Sequence, residues 1–139
     1  MFAPTTEIID ANHQRVAIVH VACGRIVLGV KDRKAKTSPV VEVRSEVDPI
    51  SITLVTALGR RLVVAGRQRV LVLNAHKKAV WRPAHLIRVR DVLLAFTDGI
   101  LSADRVTAVV SQEKRNEPWI TLRTESGNIC AEELLCLTS

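Results

Sequence analysis

The stretch Ile52-Thr53-Leu54-Val55-Thr56-Ala57-Leu58-Gly59 returns later in the chain as Ile120-Thr121-Leu122-Arg123-Thr124-Glu125-Ser126-Gly127. Ile, Thr, Leu, Thr and Gly recur without a gap at a spacing of 68 residues. Apolar and polar side chains alternate through Ile50-Ser51-Ile52-Thr53-Leu54, the period of a pleated strand with one buried face. Leu58-Gly59-Arg60 then reads as a turn. A second set of matches supports the first: Val21, Ile26, Val27, Leu28, Val40 and Val43 face Ile87, Val92, Leu93, Leu94, Val106 and Val109, each 66 residues on. A two-residue change in one intervening loop reconciles the two spacings. The expected body is a single domain over residues 1–139 in which two related β-subdomains, roughly 16–64 and 82–132, bury their apolar faces against each other about a pseudo-two-fold axis.

Outward from the repeat, short apolar runs continue the strand pattern. They lie at Val16 to Val21, Ile26 to Val30, Val40 to Val43, Arg61 to Val64, Val70 to Leu73, Val80-Trp81, Val92 to Phe96, Val106 to Val110 and Trp119 to Leu122. Ala65 to Arg69 and Asn74 to Lys78 read as turns, and Asp98-Gly99 is a hairpin signal because glycine accepts positive φ. Helical evidence is confined to one short turn after Pro83 and a brief Ala131 to Leu135 segment, too short to nucleate a helix alone. The fold class expected is therefore all-β, with about ten strands of four to six residues.

Composition agrees. The chain of 139 residues is 47% apolar, rich in valine, with two Trp, two Phe and no Tyr. Such a core is aliphatic and stiff at χ1, which favours strands. No apolar run approaches the length needed to span a bilayer as a helix, so no membrane partner is expected. Three cysteines, Cys23, Cys130 and Cys136, are too few and oddly numbered for a disulfide framework; reduced thiols and a cytoplasmic location are expected.

The net charge of +6 is concentrated between residues 25 and 90, where fifteen Lys or Arg stand against four acids. Lys31, Arg33, Lys34 and Lys36 form one cluster. Arg60, Arg61, Arg67, Arg69, Lys77 and Lys78 form a candidate interaction surface for an acidic partner or a second copy of the chain. A small basic β-barrel that binds nucleic acid is the alternative, although the cations lack interleaved aromatics. His20-x-x-Cys23 has the spacing of two metal ligands, but no second pair accompanies it, and neither a metal nor a cofactor is expected. Cys136 is a possible thiol nucleophile if the terminus returns to a cleft, packing being the simpler role. His76 reads as a solvated turn residue and Asp91 as a turn anchor.

Several motifs together resemble the Hint superfamily, the fold shared by inteins, bacterial intein-like domains and the autoprocessing domain of hedgehog proteins. Met1-Phe2-Ala3-Pro4-Thr5-Thr6 is similar to the family's opening Cys-Phe-x-x-x-Thr, and Gly24-Arg25-Ile26-Val27-Leu28 to its Gly-Asp-x-Val-Leu segment. Ala65-Gly66-Arg67-Gln68 falls where the family carries Thr-x-x-His. Trp81-Arg82-Pro83-Ala84 and Arg90-Asp91-Val92-Leu93 follow in family order, and Thr124-Glu125-Ser126-Gly127 resembles the hedgehog-like ending. The resemblance implies a horseshoe of two pseudo-symmetric halves and an N-to-S acyl shift, in which a cysteine thiol attacks the preceding carbonyl and a histidine protonates the departing nitrogen.

The matching positions here are Met1, Ala65 and Gln68. A thioether has no proton to lose, a methyl group has no hydroxyl, and a carboxamide does not titrate near neutrality. With Met1 first in the sequence, no upstream peptide bond is expected for it to attack. The chain ends Leu137-Thr138-Ser139 rather than in the His-Asn pair used for splicing. The expectation is a Hint-like structural or protein-interaction module with its self-processing chemistry lost. Residual self-cleavage with an altered nucleophile position is the remaining enzyme reading.

Overall fold

The computed structural model describes residues 1–113 and 117–138. Its strands are β1 (Glu7–Ile9), β2 (Arg15–Ala17), β3 (Ile26–Lys31), β4 (Lys34–Glu46), β5 (Ile50–Thr56), β6 (Arg61–Ala65), β7 (Arg69–Leu73), β8 (Ala79–Pro83), β9 (Val92–Thr97), β10 (Ile100–Glu113), β11 (Trp119–Thr124), β12 (Asn128–Ala131) and β13 (Leu134–Leu137). Two 3-10 turns, Ile18–His20 and Ala84–Leu86, interrupt them. The all-β expectation holds. No helix among the described residues is long and apolar enough to cross a membrane.

Two departures from the sequence reading have a common cause. Strands were expected to be short, yet β4 and β10 run for 13 and 14 residues. Each changes partner midway: β4 pairs with β3 through Lys34–Pro39 and with β11 from Val40 to Glu46, while β10 pairs with β9 through Ile100–Arg105 and with β5 from Val106 onward. A bulge marks each change, leaving Val41 and Thr107 outside the ladders. Extra residues of this kind bend a strand and re-aim it. Pro39, which has no N–H for a ladder, sits at the changeover in β4. The run Val16 to Val21 is likewise broken, because Ile18 turns inward into a 3-10 turn whose amide donates to Thr6 (2.7 Å).

Partner exchange interlocks the halves: β11, late in the chain, pairs with β4, and β5, early in the chain, pairs with β10. Backbone detail repeats with it. The amide of Gly24 donates to Val40 as that of Arg90 does to Val106, and Val21 to Ile18 as Ile87 does to Ala84. Asp32 and Asp98 share a φ of 52°, and Gly59 and Gly127 lie at 85° and 81°. Asp10 Oδ1 accepts from the amides of Asn12 and Gln14 as Asn74 Oδ1 does from His76 and Lys78. Two further spacings, which the sequence alone did not show, thus precede 66 and 68: 64 residues between Asp10 and Asn74, and 62 between Thr6 and Gln68, whose amides donate to Ala3 and Ala65.

Matched positions fill one core. Val27 and Leu93, Val40 and Val106, and Leu54 and Leu122 are all buried in the same cluster with Phe2, Ile8 and Leu134. Each buried aliphatic side chain contributes about 2 kcal/mol. A smaller cluster of Leu28, Leu94, Phe96, Cys130 and Leu135 lies beside it.

Candidate functional site

The two ends of the chain meet over β6 and β7. Phe2 is buried and exchanges backbone hydrogen bonds with Ile120 at 2.8 and 2.9 Å, which fixes Met1 beside β6. β6 ends at Ala65, whose amide donates to the Met1 carbonyl at 3.0 Å. The chain then turns through Gly66 and Arg67 to Gln68, and β13 brings Leu137 alongside β7. A cleft of about 160 Å³ results, lined among others by Met1, Glu46, Gln68, Thr121 and Thr138.

Met1, Ala65 and Gln68, placed together by motif order, are together in space. Gln68 is buried and its carboxamide ties three backbone segments. Its Oε1 accepts from the Met1 amino group at 2.6 Å, and its Nε2 donates to the carbonyls of Arg69 (2.9 Å) and Leu137 (2.8 Å). Both Nε2 protons are thereby committed to carbonyls. Ala65 contributes only its backbone. Burial pulls the Met1 amine down from 8.0 to about 5, so it is an uncharged amine at neutral pH. Its thioether sulfur faces Arg67, whose guanidinium lies 3.9 Å away and is paired through Nε with Asp48 at 2.8 Å.

Sequence reading missed Asp48, Thr121 and Thr138. Asp48 also accepts from the Ile50 amide through Oδ1, and its carbonyl takes the Trp119 indole N–H. Thr138 shares a 2.9 Å hydroxyl contact with Thr124, whereas the buried Thr121 hydroxyl has no hydrogen-bond partner among the described residues. Nothing in local pattern marks these residues, since each acquires its place through strand pairing.

The other candidates disperse. Cys136 is fully buried, and burial pushes its thiol far up; burial, with Glu133 adding, takes Cys130 up to about 12. Both are thiols rather than thiolates at neutral pH. Cys23 and His20 are exposed, and among the described residues no three His, Cys, Asp or Glu gather where a metal ion would sit. Asp91 anchors its turn through the Arg88 amide, and His76 lies in an exposed turn. The basic residues fall in separate places. Arg67 and Arg69 border the cleft. Arg61 is exposed near Glu132 and Glu133, and Lys77 and Lys78 crown the turn between β7 and β8. Arg60 is turned inward: its guanidinium reaches Asp104 at 2.7 Å and Thr97 at 3.1 Å. Burial alone would raise the Asp104 carboxyl, but hydrogen bonds from Thr56, Arg60 and the Leu58 amide outweigh it and hold it below the usual range.

Two interlocked halves, two long strands that change partner and a cleft where the chain ends meet define the Hint fold. The chain is similar to the PabCDC21-1 intein, with a TM-score of 0.86 and 16% identity over 99% of this chain and 98% of that one. It is similar to a DnaB intein from Synechocystis sp. PCC 6803, with a TM-score of 0.84 and 17% identity over 99% and 97%. A transcription factor IIB Mvu mini-intein gives 0.82 and 15% over 99% and 100%. No protein-family model and no curated protein sequence matches the chain. At these identities the likeness establishes the fold, and the chemistry has to be argued from the residues.

Proposed function

We propose that this chain is one Hint-like domain, built from repeats of roughly 16–64 and 82–132, that no longer processes its own backbone and serves as a protein-interaction module. The observation that carries this reading is Gln68. At the position matching the family histidine stands a side chain whose acceptor and donors are all engaged, and which does not exchange a proton near pH 7. Ala65 supplies no hydroxyl, the Met1 side chain no thiol, and the buried thiol of Cys136 is far from its reactive form. Reduced cysteines fit a cytoplasmic setting. Arg60 is committed to Asp104 and Arg67 to Asp48, which breaks any continuous basic stripe over β6 and β7 of the kind nucleic acid would need, and favours a protein partner.

The test is intact-mass spectrometry of the purified chain, and of the chain with a carrier domain joined upstream of Met1, incubated with and without dithiothreitol. One unchanged mass is expected for each. Separation of the carrier, or a thiol adduct at its C-terminus, overturns the reading.

A further inference from the structure

The pseudo-symmetry supplies an internal control, because one pair of matched cavities has diverged. The first, about 160 Å³, is lined by Ile9, His13, Arg15, Leu28, Phe96 and Gly99 among others. Its mate, about 440 Å³, has Lys77 where the first has His13, Ala79 where it has Arg15, Val30 where it has Phe96 and Arg33 where it has Gly99. In the small cavity Arg15 reaches across to Glu133 at 2.9 Å, with Glu7 and Glu132 at 3.5 and 3.7 Å, so that charge and space are both filled from within. In the large one Ala79 and Val30 leave the space open over a floor of Leu71, Trp81, Leu94, Leu101 and Leu135. Its size and apolar lining suit a ligand group.

The rim is basic. Arg33 and Lys77 come from two different hairpin tips, are exposed, and make no ion pair among the described residues. Lys31, Lys34 and Lys78 adjoin them in sequence and outnumber the single rim acid, Asp32. Lys77 holds a φ of 58°, close to the 60° of its mate His13, whereas Arg33, at 64°, keeps a side chain where the other half has a glycine. The cavity also borders β8, which among the described residues pairs only with β7 and leaves its other strand edge open to them.

The geometry points to this cavity as the docking site for an acidic segment of a partner protein, extended along β8, with one large apolar side chain seated on Trp81 and the leucines and its carboxylates paired with Arg33 and Lys77. Sheet-edge hydrogen bonds would supply affinity and the pocket its specificity. This deepens the interaction-module reading and rests on it.

Random dodecapeptides displayed on phage are panned against the full chain, with the Ala79→Arg variant, which installs the residue of the closed mate, as counter-selection. Enriched sequences are then titrated by Trp81 fluorescence, with Trp81→Phe as the blank. Acid-flanked apolar sequences are expected, with affinity falling about tenfold or more in Ala79→Arg and in Arg33→Gly/Lys77→His, and falling with salt in the parent chain. Both variants place residues that the mate position already carries, and thermal unfolding checks that they fold. Failure to enrich such sequences over the counter-selection overturns the proposal, as does enrichment whose binding Ala79→Arg leaves intact. Binding of sodium decanoate at this cavity without any peptide enrichment reassigns it to small amphipathic carboxylates and equally overturns the peptide. Intact mass of the same samples separates the outcomes: lost docking with an unchanged mass defeats this inference alone, whereas cleavage defeats the reading beneath it.

Discussion

Gln68 is singled out in the sequence by motif position, and its physical role emerges only in three dimensions. Three hydrogen bonds join it to the chain start, to Arg69 and to Leu137. Truncation in Gln68→Ala strands those groups and is expected to destabilise the fold by about 2 kcal/mol in urea unfolding. Arg33 acts in the opposite sense. At a φ of 64° it occupies a place that glycine holds in the other half, so Arg33→Gly is expected to raise stability by about 1 kcal/mol, read as a higher urea midpoint at constant slope. Asp10 and Asp104 are held below the usual carboxylate range. For Asp10 the hydrogen bond from the Gln14 amide leads, and for Asp104 the bonds from Thr56 and Arg60 overcome burial. The unfolded chain therefore binds more protons as pH falls. Their stabilisation is full above the ordinary aspartate range and is lost as pH drops through the folded values. Glu132, pushed up by burial, works the other way. Urea midpoints measured from about pH 6 down to pH 3 should decline, and Asp104→Asn should flatten that decline.

Among the elements, β3 and β12 show what a single missing side chain permits. Asn128 clamps Val30 through both its backbone groups, at 2.8 and 2.9 Å. The approach is so close that a Cβ on Gly29 would lie 2.6 Å from the carbonyl and side-chain oxygens of Asn128. Gly29→Ala is therefore expected to cost about 2 kcal/mol, seen as a lowered unfolding midpoint, by forcing β3 off β12. Hairpin signals at this scale were only partly legible. Asp98-Gly99 reads as a turn, while Asp32-Arg33, at φ of 52° and 64°, carries no such signal because arginine is not a turn residue by preference. Glu132-Glu133 likewise makes a tight left-handed turn between β12 and β13, where local composition pointed weakly to helix.

For the molecule as a whole, partner exchange through β4 and β10 makes each half depend on the other for a sheet neighbour. Residues 1–66 and 67–139 produced separately should lack cooperative thermal unfolding, and mixing them should restore it, as followed by circular dichroism. Unfolding of the intact chain should be a single transition, since the main core draws matched residues from both halves.

Alternation, turn residues and the recurrence of Ile-Thr-Leu-x-Thr-x-x-Gly determined most of the strands, the all-β class and the two-fold relation, because side-chain period and glycine placement are properties of adjacent residues. Family-like order also placed Met1, Ala65 and Gln68 at one site. Only tertiary structure decided which strands change partner, that Arg60 turns inward while Arg67 pairs with Asp48, and that one of two matched cavities stays open. Those outcomes depend on contacts between residues far apart in sequence. A cation reads the same in a sequence whether a buried carboxylate or water awaits it, and only the fold tells them apart.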